Sequence, residues 1–314
     1  MRFPRQEHLR FGNHLDRRAP KMIAKRPALV LAAAALFGAG AGLSAVGLSS
    51  TTASRPPRFK HVVVVMFENR GAAQVLENPI AATFQRLGEN YATLENYDAV
   101  AHPSLPDYLA LVAGSTFGVR TDCTGCVIDT PNLADTLSAH SLTWKTYVED
   151  IPPNLAHVHR PAVKARIPFL YFRDVLSSPQ RMRDIVPLSA WGRDVRAHRL
   201  PSFSLVIPDL CHDMHNCTVR TGDRWLAGFM RPLLRPGVLK NTVVFLVFDE
   251  ARRPDSRGGG GRVPAIVAGP LVHRDSNSVA PLTHYSLLRT IEQRWNLPLL
   301  GHSATARLIT GIWR

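Results

Sequence analysis

The run His61-Val62-Val63-Val64-Val65-Met66, closed by Phe67 and then by Glu68-Asn69, constrains this 314-residue chain more than any other segment. Four consecutive valines cannot alternate between a core face and a wet face. The segment therefore reads as a short strand buried on both sides, the kind found in parallel sheets covered by helices. Four further segments read as strands: 142–148 (LTWKTYV), 203–207 (FSLVI), 242–248 (TVVFLVF) and 263–268 (VPAIVA). Helical patterns fall between them at 80–91, 105–113, 132–140, 221–234 and 284–295. This alternation predicts an α/β fold, a three-layer sandwich with a largely parallel central sheet. There are no internal repeats, and the glycines of 258–261 read as a flexible loop after a strand end.

In open α/β sheets, ligands collect at the carboxyl ends of the strands. One predicted strand ends in Glu68-Asn69 and another in Asp249-Glu250. A polar strand end means little alone, but two such pairs supply three carboxylates and an amide oxygen, a hard donor set suited to a divalent cation. The stretch His102-Pro103-Ser104-Leu105-Pro106-Asp107 places Ser104 before a helix with Asp107 three residues on, a capping-box pattern. Taken alone, the cap is the simpler reading. The same helix terminus would also favour an alkoxide or a phosphate oxygen. Cys211-His212-Asp213-Met214-His215-Asn216-Cys217 follows the 203–207 strand and presents two histidines and an aspartate. His284 opens the last long helix, where a lone histidine is usually structural.

The four cysteines form two tight pairs, Cys123/Cys126 and Cys211/Cys217, read most simply as local disulfides in an exported protein. The alternative is a zinc site built from both pairs. Export is what the N-terminus suggests. Lys21, Lys25 and Arg26 precede a charge-free run over 27–47 rich in Ala, Leu and Gly, and small residues follow. Residues 1–53 are therefore expected to be an export signal or membrane anchor, with 1–21 as an upstream extension if translation starts at Met22. Residues 54–314 would be one catalytic domain, delivered to the cell envelope or secreted. Eight Lys/Arg against two Asp/Glu before residue 54 account for +6 of the formal +14, which leaves +8 on the rest. A basic surface suits phosphorylated small molecules, lipid headgroups or envelope polymers. No basic helix with interleaved aromatics argues for nucleic acid, and membrane contact is expected only through the N-terminal segment.

The segments HVVVVMFENR, HPSLPDYLALVAGST, LTWKTYVEDIP, IPDLCHDMHNCTVRTGDRWL, FLVFDE and HYSLLRTIEQRWNLPLLG, in this order, resemble the bacterial acid phosphatase/phospholipase C phosphoesterase family of the alkaline-phosphatase-like superfamily. The likeness runs from about Lys60 to Gly301 and is strongest to the short secreted acid phosphatases of mycobacterial type. It implies an alkaline-phosphatase-like fold and a divalent metal held by Glu68, Asn69, Asp249 and Glu250. Ser104 would be the metal-bound nucleophile, passing through a phosphoserine. It further implies that Asp213, His215 and His284 line the phosphate site, His215 and His284 being the catalytic candidates and one histidine donating a proton at mildly acidic pH. His102, Arg166 and His212 are further candidate substrate-binding groups beside Asp213. Arg166 stands where many relatives have histidine, Asn216 where Asp is common, and Asp107 where Asn is common. Arginine can grip a phosphate oxygen but cannot deliver a proton. The expected activity is phosphomonoester hydrolysis. The alternatives are a phospholipase C-like phosphodiesterase and a catalytically silent envelope-binding protein.

Overall fold

The computed structural model describes residues 56–151, 160–235 and 237–314. The expected export signal or anchor, with its upstream extension, lies outside the described residues. Among these residues the strands are β1 (His61–Phe67), β2 (Ala92–Leu94), β3 (Tyr97–Asp98), β4 (Trp144–Val148), β5 (Ile185–Pro187), β6 (Phe203–Ile207), β7 (Thr242–Phe248), β8 (Ala265–Ala268), β9 (Ser276–Ser278) and β10 (Leu282–Thr283). Eight form one sheet in the order β5-β4-β6-β1-β7-β8-β2-β9, and β3 pairs with β10 in a separate parallel ribbon. Within the large sheet β8 alone runs against its neighbours β7 and β2. The fold is thus α/β with a largely parallel central sheet, as the alternation of strands and helices predicts.

The valine run sits where its composition requires. β1 lies between β6 and β7, parallel to both, with Val62 opposite Phe203 and Phe67 opposite Phe248. Every residue of β7, and all but the first of β1, is buried. Phe248 and Phe245 are three apart and so point to opposite faces of the sheet. Phe248 packs with Phe67 and Phe84, whereas Phe245 meets Trp313. Each such ring buried contributes roughly 1.5–3 kcal/mol, and this two-sided packing leaves the strand ends as the place for polar chemistry.

Helices Ala82–Asn90 and Val219–Leu233 pack together beside the Phe67–Phe84–Trp225 cluster. Helix Ala82–Asn90 lacks a capping side chain of its own. Asp223 of the other helix supplies it, accepting from Thr83 N, Phe84 N and Thr83 Oγ1 at 2.8, 3.2 and 3.0 Å. Helices Ser104–Ala113 and His284–Trp295 form the second packed pair.

Two expectations change. The glycine patch is not a loose loop: Gly260 N bonds Ala99 O, Ala99 N bonds Gly261 O, and Ala251 N bonds Gly260 O. A Cβ on Gly259 or Gly260 would lie 2.1 or 2.2 Å from the carbonyl oxygens of Val100 and Ala101. Only glycine permits this backbone contact, which clamps the segment leading to Ser104 against the segment leaving β7. Ser104 is also not a cap. It is the first residue of its helix, Pro103 occupies the cap position without a capping side chain, and Asp122 caps that end from outside the helix.

Candidate active site

Because β1, β6 and β7 are parallel and adjacent, their carboxyl ends open at one edge of the sheet. Backbone bonds hold them level: Asp249 N donates to Phe67 O at 2.9 Å and Glu68 N to Asp213 O at 2.8 Å. Asn69 turns into a left-handed conformation, φ 51°, which asparagine tolerates. Its N–H thereby reaches Asp249 Oδ1 at 3.0 Å, and its Nδ2 reaches Glu250 Oε1 at 2.7 Å.

Ser104 enters this group from its own helix. Oγ donates towards Glu68 Oε2 at 3.2 Å and Glu250 Oε1 at 3.3 Å. The serine is 6% exposed, Glu68 1% and Asp249 0%, so the three carboxyls share a dry pocket. Burial pushes all three above the usual carboxylate range. The charges of Glu68 and Glu250 push Asp249 further. Arg166, Tyr108 and His215 partly offset the effect at Glu68, and His102 does so at Glu250. Among the described residues, Asp249 Oδ2 is buried with no hydrogen-bond partner. A buried acceptor of this kind is costly.

The cationic side of the site is Arg166, itself 2% exposed. Its Nη1 bonds Pro208 O at 2.7 Å and Asp213 Oδ2 at 2.5 Å, and its Nε bonds Ala162 O at 2.8 Å. Burial works against its charge, but the carboxylates of Asp213 and Glu68 outweigh that and hold its pKa above the ordinary value. Burial and the Glu68 charge push Asp213 up to about 8 against the pull of Arg166. The Cys211–Cys217 disulfide closes the loop carrying His212 to Asn216, and Cys123–Cys126 forms the other bridge. The expected local pairing is therefore present, and the zinc alternative is excluded for these cysteines. His215, half-buried, donates its backbone N–H to Asp213 Oδ1. Its Nδ1 lies 2.7 Å from Asn216 Oδ1, which can only accept, so Nε2 is the atom left to give or take a proton.

Three of the sequence-derived candidates sit differently from the rest. His102 packs its Nδ1 on Glu250 Oε2 and its Nε2 on Asp255 O, tethering a carboxylate. His212 turns to Glu149 and Asp209, with Nδ1 3.0 and 3.1 Å from their carboxylate oxygens, and its ring lies over Trp225. Those three side chains bring ligand atoms within 4.8 Å of one another, but their internal hydrogen bonds account for the arrangement. His284 is fully buried behind the site. Its Nε2 donates to Asp249 O at 2.8 Å and lies 3.4 Å from Asp107 Oδ1, while Tyr97 OH donates to Nδ1 at 3.1 Å. Asp107 also accepts from Val100 N and Ala101 N, so it braces the segment before Ser104.

Sequence reasoning missed Tyr108, whose hydroxyl donates to Glu68 Oε1 at 2.7 Å. It lies four residues after Ser104, on the same helical face, and that spacing was the available signal. It also missed Asp122, which accepts from Leu105 N at 2.9 Å, and for that no local signal existed.

The profile of the Phosphoesterase family matches residues 75–298. A phosphatidylinositol-3-phosphatase of Mycobacterium tuberculosis is 32% identical over 289 residues, covering 90% of this chain and 92% of that protein. An acid phosphatase of Aspergillus niger is 30% identical, covering 66% of this chain; the chain spans 52% of that relative's length. Among solved structures, a protein of the alkaline phosphatase superfamily from Vibrio parahaemolyticus superposes with a TM-score of 0.58 at 13% identity, covering 82% of this chain and 72% of that one. A phosphonate monoester hydrolase from Silicibacter pomeroyi gives 0.53 at 10% identity, over 76% and 74%. At such identities the structural likeness speaks for the fold alone.

Proposed function

This chain belongs to the Phosphoesterase family, and from that premise we propose that it is a secreted, divalent-metal-dependent acid phosphatase hydrolysing phosphomonoesters through a phosphoserine on Ser104. The observation that carries this reading is the junction of Ser104 Oγ with Glu68 and Glu250, carboxylates from two different strand ends. The relatives named above, an acid phosphatase and a phosphatase of a phosphorylated lipid headgroup, support the monoester assignment.

The residues fit a metal ion. Among the described residues Asp249 Oδ2 is a buried, unpartnered carboxyl oxygen beside two further carboxyls, and every donor in the set is a hard oxygen. Glu68, Asn69, Asp249 and Glu250 would hold the ion, with Ser104 beside it. Such a cation lowers the pKa of a nearby hydroxyl and neutralises phosphoryl oxygens.

The chain's own groups do the rest. Tyr108 and His102 fix the outward-facing oxygens of Glu68 and Glu250, leaving the opposite oxygens aimed at Ser104. The hydroxyl proton already points at those carboxylates, and the oxygen becomes the nucleophile. Arg166, held by Asp213, keeps a fixed positive charge against the developing phosphoryl charge. His215 Nε2 protonates the departing alcohol. His284, with both ring nitrogens engaged, positions the Asp249 carbonyl. The two disulfides support an oxidising, extracytoplasmic setting.

The test is turnover of p-nitrophenyl phosphate and of its bis-ester by wild type and Ser104→Ala, with and without chelator. Monoester turnover lost on chelation and in Ser104→Ala is expected. Full activity in the variant overturns the nucleophile, and preferential cleavage of the bis-ester would assign the phospholipase C-like reading.

A further inference from the structure

The sheet has a second end, and it is built from the opposite chemistry. Gly269 follows β8 and lies against Thr242 O at the start of β7. Asp249 closes the far end of β7, roughly 20 Å away for a strand of this length. At the amino end of β7 lies a cavity of about 640 Å³, walled by helices Ala82–Asn90 and Val219–Leu233, the segment after β8 and Arg314. Its volume falls in the range of about 300–1,000 Å³ typical of small-molecule sites.

The floor is apolar: Leu87, Met230 and Val272 are buried, with Ala227, Leu234 and Pro270 beside them. Four exposed arginines, Arg86, Arg231, Arg274 and Arg314, stand around it, and no acidic side chain lines it. Among the described residues none of the four pairs with a carboxylate: Arg86 reaches only Thr83 Oγ1, and Arg274 only Asn90 Oδ1. A second cavity of about 420 Å³ shares Tyr91, Leu234 and Pro270 with the first and adds Arg235 and Lys240. Four guanidiniums, none ion-paired among the described residues, against the single α-carboxylate that Arg314 itself carries, leave the cleft net positive.

We infer that this cleft binds a single-chain anionic amphiphile, its acyl tail on the Leu87–Met230–Val272 floor and its anionic head on the arginine rim. A purely polar anion would leave the floor wet, and a neutral apolar ligand would leave the rim unused. Methionine and leucine adapt to a flexible chain, and guanidinium forks match a carboxylate or phosphate head. The inference stands apart from the phosphatase reading, since no residue of the candidate active site lines the cleft.

The test is calorimetric titration of the full chain with decanoate below its micelle concentration, with 1-decanol, and with acetate. Saturable decanoate binding at one per chain is expected, with decanol at least about tenfold weaker and acetate silent. Ala227→Trp, which fills the floor, should abolish binding. Arg231→Gln with Arg274→Gln should weaken decanoate by roughly tenfold while leaving decanol unchanged. Melting temperatures of these surface variants report folding independently. The inference is overturned by decanoate binding indifferent to Ala227→Trp, or by attachment to anionic vesicles without binding of the monomeric amphiphile.

Discussion

Two groups of buried acids in this molecule look alike in the sequence and differ in what surrounds them. Asp223 sits between two helices and receives three donors from one helix start. Glu68, Asp249 and Glu250 sit at the sheet edge, crowd one another and leave an oxygen without a donor. The first arrangement completes the helix terminus. The second holds an unfavourable charge state that a cation would relieve. A buried acid therefore points to function when it lies beside other acids and lacks donors, and burial alone does not distinguish the cases.

The strongest way to break this comparison is Asp249→Asn. The amide removes one charge and gives Glu68 a donor, so it should cut phosphomonoester turnover by more than about 10³-fold, near 4 kcal/mol of transition-state stabilisation. The same variant should melt higher than wild type in chelator, because like-charge repulsion falls. Divalent metal should raise the melting temperature of wild type only. A variant that melts lower than wild type in chelator would mean the carboxyl cluster is structural after all. The matched substitution is Asp223→Ala, predicted to cost about 2–3 kcal/mol by orphaning two helix N–H groups. For a domain this size that lowers the melting temperature by about 4–10 °C, measured by thermal denaturation, with metal response retained.

How much of this contrast was legible depended on distance along the chain. The strands 203–207 and 242–248 and the helix 284–295 have the bounds expected, because short runs rich in β-branched and other large apolar residues, and a long amphipathic stretch, carry their own signal. The carboxylate pairs were visible as polar ends of those runs. β2, β3, β5, β9 and β10 were not, since two or three residues become strands only through partners such as Ala92 with Ser276. Taken alone, Ser104 reads as a cap only if the helix starts one residue later than it does, and that single step changes its hydrogen-bonding role. The glycines of 258–261 were read as slack because tight backbone contact with residues 99–101 leaves no mark in composition. His284 was located correctly at a helix start, but its lock onto Tyr97 and the Asp249 carbonyl spans 187 and 35 residues.

Glu292 separates burial from repulsion, since it is a buried acid with donors but no acidic neighbour among the causes of its shift. Ser303 Oγ donates to Oε2 at 2.5 Å and Leu300 N to Oε1 at 2.9 Å, tying helix His284–Trp295 to the segment that follows. Burial still pushes its pKa up to about 7, with Ser303, Leu300 and Arg289 only partly offsetting it. A folded pKa above the unfolded one means that the native state holds the proton more tightly. The stabilisation is then complete below about pH 4.5 and is lost as pH rises through about 7. Glu292→Gln should remove this slope, so its stability relative to wild type rises across that window. The full shift corresponds to at most about 3 kcal/mol, and the amide replaces an acceptor with a donor, so a net change of about 1–2 kcal/mol is expected. Denaturant titrations at pH 4.5 and 8 measure it. If this lone acid yields as large a gain as Asp249→Asn in chelator, desolvation suffices and crowding at the sheet edge adds nothing. A clearly smaller gain assigns the difference to the neighbouring carboxylates, and with it the reason that edge is suited to a cation.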